Sequence, residues 1–235
     1  MRYGERMVAL VLLTGSLLFA GWTSFGHTLR PDVVPGGNLN LQDFVLQTGI
    51  NDGTPGRMID SLAGADGYSD ASFYTGTDGA MTLVSTSGQS VFLRERTNGW
   101  DTEQISLLRG EAAAEAQEGA VCVASIWSVG TKLQPICSLD YTADSGFCVR
   151  IANLEGQWVE FRSLFMAALG QRVHFTISVR RELLRVTVED QSAEFWLPPS
   201  LAAAYFAFTV GGENRPPSAA SRLRFYDLQL SHKRI

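Results

Sequence analysis

Apolar and polar positions alternate with a period of two along most of this chain. The clearest segments are VHFTISV at 173–179, LLRVTVE at 183–189 and RLRFYDLQLS at 222–231. A period of two sends successive side chains to opposite faces of a pleated backbone, so these segments predict half-buried β-strands. Shorter stretches of the same kind occupy 72–74, 80–85, 89–96, 133–141, 147–152, 158–161, 192–197 and 204–210, and AVCVASIWSV at 120–129 is a mostly apolar one. Turn signals separate them, among them Asp78-Gly79, Asn98-Gly99, Gly130-Thr131 and Pro198-Pro199. Residues 111–118 (EAAAEAQE) are good helix formers. Eight residues are marginal for a helix standing alone, so a loop or a single turn is expected there. Many short strands joined by turns predict an all-β fold: a jelly-roll β-sandwich (concanavalin-like) in one domain over residues 39–235.

Composition supports this picture. The chain has 235 residues, 45% of them hydrophobic and only 18% charged, with 23 glycines, enough apolar material for a sizeable core. The net charge of −5 disfavours a generic nucleic-acid binder, which should be basic. Arg2 and Arg6 precede an apolar run at 7–20 (MVALVLLTGSLLFA). That run is short for a membrane span, which needs about 20 residues, and suits the core of a secretory signal. The expected layout is a signal peptide at 1–26, or an uncleaved signal anchor as the only membrane attachment, and then a linker at 27–38. A secreted or cell-surface location and a monomer follow as expectations. Cys122, Cys137 and Cys148 then meet an oxidising compartment, where one disulfide between an undetermined pair is expected.

Chemistry-bearing patterns are sparse. His27, His174 and His232 sit in no nucleophile motif, and a G-x-S-x-G elbow, paired glycosidase carboxylates and zinc-ligand spacing are missing, so neither cofactor nor metal is implied. The stretch SVFLRERTNG at 90–99 stands out. As a strand it turns Val91 and Leu93 to one side and Ser90, Phe92 and Arg94 to the other. A ring that stacks on a pyranose beside a guanidinium that forks onto a carboxylate suits an acidic sugar.

The order of segments over residues 39–232 resembles the alginate lyases of polysaccharide lyase family 7, a β-jelly roll. YSDASFYT at 68–75 with Asp78-Gly79 resembles the family's early strand pair. FLRE at 92–95 resembles the end of its R-[ST]-E-L-R-E strand, and residues 123–127 take the place of its Q-I-H strand. Ala204, Tyr205 and Phe206 resemble the start of its Y-F-K-A-G-x-Y-N-Q strand, and RFYDLQLSH at 224–232 its closing strand. The resemblance implies an exported protein acting on a uronate-containing polysaccharide by β-elimination. In such chemistry Arg and Gln neutralise the carboxylate, and His or Tyr takes the weakly acidic C5 proton.

Carried over residue by residue, the pattern departs at the reactive positions. Ser90 stands for the first Arg and Phe92 for the Glu, while Leu93, Arg94 and Glu95 match. Ser125, Ile126 and Trp127 replace Q-I-H. Ala207 replaces the Lys, Gly211 the Tyr, and Gly212 and Glu213 the Asn and Gln. Period two gathers Ser90, Phe92, Arg94, Ser125, Trp127, Tyr205, Ala207, Thr209 and Gly211 on one face. Arg94, Phe92, Ser90, Ser125, Trp127, Thr209 and Gly211 are therefore the candidate substrate-binding residues. Tyr205 and Tyr141, with Tyr226 behind them, are the tyrosines from which a base would have to come. Two further readings stay open: a catalytically silent carbohydrate-binding jelly roll, its partner an acidic polysaccharide or other glycan, and a structural envelope protein that keeps only the scaffold.

Overall fold

A computed structural model of the chain describes residues 25–29, 44–50, 57–59, 71–86, 90–95, 99–129, 134–198, 205–212, 214–215 and 220–234. The expected signal segment up to residue 24 and most of the linker lie outside these residues. All regular structure among the described residues is strand. The strands are β1 (Phe25–Leu29), β2 (Phe44–Ile50), β3 (Arg57–Ile59), β4 (Phe73–Thr75), β5 (Met81–Thr86), β6 (Ser90–Glu95), β7 (Gln104–Ala116), β8 (Ala120–Val129) and β9 (Gln134–Thr142). They continue with β10 (Gly146–Ala152), β11 (Trp158–Phe165), β12 (Arg172–Arg180), β13 (Leu183–Val188), β14 (Gln191–Trp196), β15 (Tyr205–Gly212), β16 (Asn214–Arg215) and β17 (Ala220–Arg234).

Two antiparallel sheets result. Sheet I runs β14-β13-β12-β7-β17-β5-β4, with β1 added against β17. Sheet II runs β11-β10-β9-β8-β15-β6-β2-β3, with β16 added against β8. Sequence neighbours such as β6 and β7 lie in different sheets, which is the crossing habit of a jelly roll. The core fills the space between the sheets. Leu108, Phe175, Ile177, Val186, Leu223 and Phe225 face in from sheet I, and Leu46, Leu93, Val121, Leu139, Phe147 and Phe208 from sheet II. The predicted β-sandwich is therefore the observed fold.

Two expectations need correction, and one segment at the expected signal–linker boundary is a strand. Residues 111–116 are neither loop nor turn but the second half of β7, hydrogen-bonded to β12 on one side and β17 on the other. Ala112, Ala113, Ala114 and Ala116 are buried there, so tertiary context overrides their helical preference. Phe25–Leu29, which straddles the expected boundary between signal and linker, pairs with Leu228–His232 as a strand. None of the three cysteines is in a disulfide. Cys122 and Cys148 lie in register on either side of Asp140. Two strand spacings, about 10 Å, keep them beyond bridging reach. Cys137, paired with Ile126, belongs to the core, where burial, and after it the Asp140 charge, push its thiol far above the ordinary range.

Candidate functional site

Strand β6 reads Ser-Val-Phe-Leu-Arg-Glu, and its burial alternates residue by residue. Val91, Leu93 and Glu95 go inward, while Ser90, Phe92 and Arg94 stay partly exposed on the outer face of sheet II. The register then builds a ladder across that face. Arg94 stands opposite Thr209 on β15, Thr209 opposite Ser125 on β8, and Ser125 opposite Ser138 on β9. Ser138 stands opposite Arg150 on β10, and Arg150 opposite Phe161 on β11. In neighbouring rungs Phe92 faces Gly211, and Ala207 faces Trp127.

The residues chosen from the sequence are thus brought together, but they divide by exposure. Arg94, Phe92, Ser90 and Trp127 are half-buried, whereas Ser125, Thr209 and Gly211 are buried. The buried hydroxyls serve the aromatic beside them. Trp127 Nε1–H donates to Ser125 Oγ at 2.8 Å, and Ser125 Oγ is hydrogen-bonded to Thr209 Oγ1. Two bonded hydroxyls therefore fix the indole's edge, and its orientation on the face with it. Among the described residues no carboxylate pairs with Arg94, so its guanidinium keeps its donors for something else.

Gly211 has φ +105°, a conformation that side-chain-bearing residues rarely adopt. A Cβ built there would meet Leu83 Cδ2 at 2.5 Å and the Val91 carbonyl at 2.9 Å. The backbone at this position has no room for a larger residue.

The tyrosines do not share the Arg94 face equally. Tyr205 does lie on it and is 53% exposed. It sits four residues along β15 from Thr209, about 13 Å. Tyr141 is a correction: it points into the core, its hydroxyl donates to the Ala167 carbonyl at 3.5 Å, and burial raises its pKa. Tyr226 is a second correction, because it stands on the outer face of sheet I, where its hydroxyl donates to Asp78 Oδ2 at 2.6 Å. His174 is exposed on β12 between buried Val173 and Phe175.

Two clusters carry no motif in the sequence. Glu95, 6% exposed, accepts from Trp100 Nε1 at 3.2 Å and from the Phe208 backbone N–H at 3.0 Å. Its other oxygen meets His232 Nε2 at 2.7 Å, and His232 Nδ1 meets Ser106 Oγ at 2.8 Å. Ser106 has no exposed surface, and this Ser–His–Glu chain joins β6 of sheet II to β7 and β17 of sheet I, so it acts as a clasp between the sheets. The one signal is parity: Glu95 alternates with Val91 and Leu93 and has to enter the core, where a carboxylate needs partners. The second cluster pairs Arg150 Nε with fully buried Asp140 Oδ2 at 2.9 Å. Beside it a cavity of about 320 Å³ opens at the strand ends, lined by Ala120, Thr142, Asp144, Ser145, Arg150 and Phe161. Register alone joins these residues, and no spacing in the sequence signals it.

Neither the scan of protein-family models nor the search of curated proteins finds a match. Solved structures do match. Alginate lyase A1-II′, a member of polysaccharide lyase family 7, superposes with a TM-score of 0.73 at 20% identity, covering 86% of this chain and 100% of that one. Alginate lyase PA1167 from Pseudomonas aeruginosa gives 0.68 at 22% identity over 83% of this chain and 100% of that one. Alginate lyase AlyC3, in complex with dimannuronate, gives 0.69 at 15% identity over 83% and 91%. The fold is that of the family 7 alginate lyases, as the sequence resemblance implied.

Proposed function

We propose that this protein is an exported, lyase-like jelly roll that binds a uronate-containing polysaccharide on the outer face of sheet II. The observation that carries this reading is Arg94, a half-buried cation on the same strand face as Phe92 with no carboxylate partner among the described residues. Its planar fork matches a sugar carboxylate, and Phe92 and the pinned Trp127 offer apolar surface to the pyranose rings. The structural neighbours lend support, since one is an alginate lyase bound to dimannuronate. The binding reading draws further support from the replaced reactive positions. Where the family pattern has Gln, His and Tyr, this chain has Ser125, Trp127 and Gly211, and Gly211 leaves no space for a tyrosine. Calorimetry against alginate, glucuronan and pectate tests the proposal, with Arg94→Ala and Trp127→Ala as comparison proteins. Saturable binding that both substitutions weaken is expected. Binding that ignores both would remove the platform.

β-Elimination is the second reading, and Tyr205 favours it, being a half-exposed phenol on the same face. Its distance along β15 from the Arg94 rung places it away from a carboxylate held there. Absorbance from unsaturated uronate ends decides between the two. Product that disappears in Tyr205→Phe would establish turnover.

A further inference from the structure

The far end of the same ladder differs in charge from the Arg94 end. Four strand spacings, about 19 Å, separate Arg94 from Arg150. Arg150 is already neutralised by Asp140, whose carboxylate has no exposed surface, and its guanidinium also lies 5.7 Å from the Phe161 ring centroid. Asp144, exposed in the β9–β10 turn, adds a negative charge with no ion pair among the described residues. The cavity between them therefore carries a net negative charge and would repel a uronate.

Its other groups suit a hydroxylated ring. Phe161 is 51% exposed at the cavity wall and offers a stacking face. Thr142 Oγ1 accepts the Ser145 N–H at 3.0 Å, which leaves its own proton to donate. Asp144 can accept from sugar hydroxyls as a charged acceptor. The turn is held by Ser163 Oγ, which donates to the Ser145 carbonyl at 3.0 Å.

We propose that this cavity is a subsite for an uncharged pyranose, and that the glycan on sheet II is an acidic heteropolysaccharide combining uronate with neutral sugars. The first half stands on the cavity alone. The second rests on the reading of Arg94 as the uronate site.

Titration of the intact protein with three probes separates the two. These are glucuronan as the pure polyuronate, gellan as a glucuronate polymer with neutral hexoses, and cellotetraose as a neutral oligosaccharide. Phe161→Ala, at an exposed position, should weaken gellan and cellotetraose about tenfold and leave glucuronan unchanged. Asp144→Asn should weaken the same two. Arg94→Ala should weaken gellan and glucuronan and spare cellotetraose. If Phe161→Ala and Asp144→Asn leave every probe unchanged, or if Phe161→Ala weakens glucuronan equally, the neutral subsite is overturned while the Arg94 site stands. If Arg94→Ala changes nothing and Phe161→Ala acts as expected, the uronate reading falls and the neutral subsite stands. No binding of any probe overturns both, and unchanged melting temperatures in the three variants exclude misfolding as the cause.

Discussion

The outer faces of the two sheets use arginine in opposite ways. On sheet I, Arg224 bridges Asp78 at 3.0 Å and Glu115 at 2.5 Å, and Arg222 reaches the other oxygen of Glu115 at 3.3 Å. Arg172 lies 3.5 Å from the Tyr226 ring centroid, and Arg185 pairs with Glu194 on the neighbouring strand. Cross-strand partners account for these cations, and they hold strands in register. On sheet II, Arg150 is likewise committed to Asp140, but Arg94 has hydroxyl and aromatic neighbours and, among the described residues, no acid. The lesson is that an arginine's surroundings, and not its presence on a strand, separate scaffold from binding group. These four arginines of sheet I are held by the scaffold, whereas sheet II keeps Arg94 available at one end of its ladder and Asp144 at the other.

That contrast can be broken by substitution. The largest effect is expected at Asp140. Asp140→Ala leaves Arg150 without its buried partner and should lower unfolding free energy by about 3 kcal/mol in urea denaturation. Next comes Arg94→Ala, which should weaken polyuronate binding by about 2 kcal/mol, roughly thirtyfold, with an unchanged melting temperature. A fall in stability comparable to that of Asp140→Ala would make Arg94 a scaffold residue. Arg224→Ala should do the reverse: about 1 kcal/mol of stability lost, because the pairs are partly exposed, and glycan binding untouched in calorimetry.

The smallest effect is in acid. The Tyr226 hydroxyl, and after it the Ala80 backbone N–H and the Arg224 charge, hold the Asp78 carboxyl below its usual range. A carboxyl lowered in the folded state stabilises above the ordinary carboxylate pKa, and that contribution disappears as pH falls through the folded value. The difference in melting temperature between wild type and Asp78→Asn should therefore be present at neutral pH and shrink below about pH 4. A difference that grows in acid would contradict the assignment of Asp78 as an ionised anchor for sheet I.

Much of the outer face of sheet II is legible in the order of residues along the chain. Period two places Phe92 and Arg94 opposite Val91 and Leu93, and the order of segments suggests which strands are neighbours. The same rule, applied to one residue more, sends Glu95 inward, but its partners Trp100, Ser106 and His232 come from distant strands and carry no local signal. The tyrosines show the same limit. Tyr141, Tyr205 and Tyr226 all stand on strands, yet one faces the core, one the Arg94 face and one the opposite sheet.

By itself, then, the sequence determined most of the strands, the face each side chain takes within its own strand, and the jelly-roll class. These depend on local alternation and turn chemistry, which a single chain displays openly. Tertiary structure alone decided which rungs meet. Pairing across β6, β15, β8, β9, β10 and β11 set Arg94 among hydroxyls and Arg150 against a buried acid. It also turned the alanine-rich second half of β7 into an interior strand. Register joins residues far apart in the chain, and whether a charge is satisfied depends on those partners rather than on its neighbours in sequence.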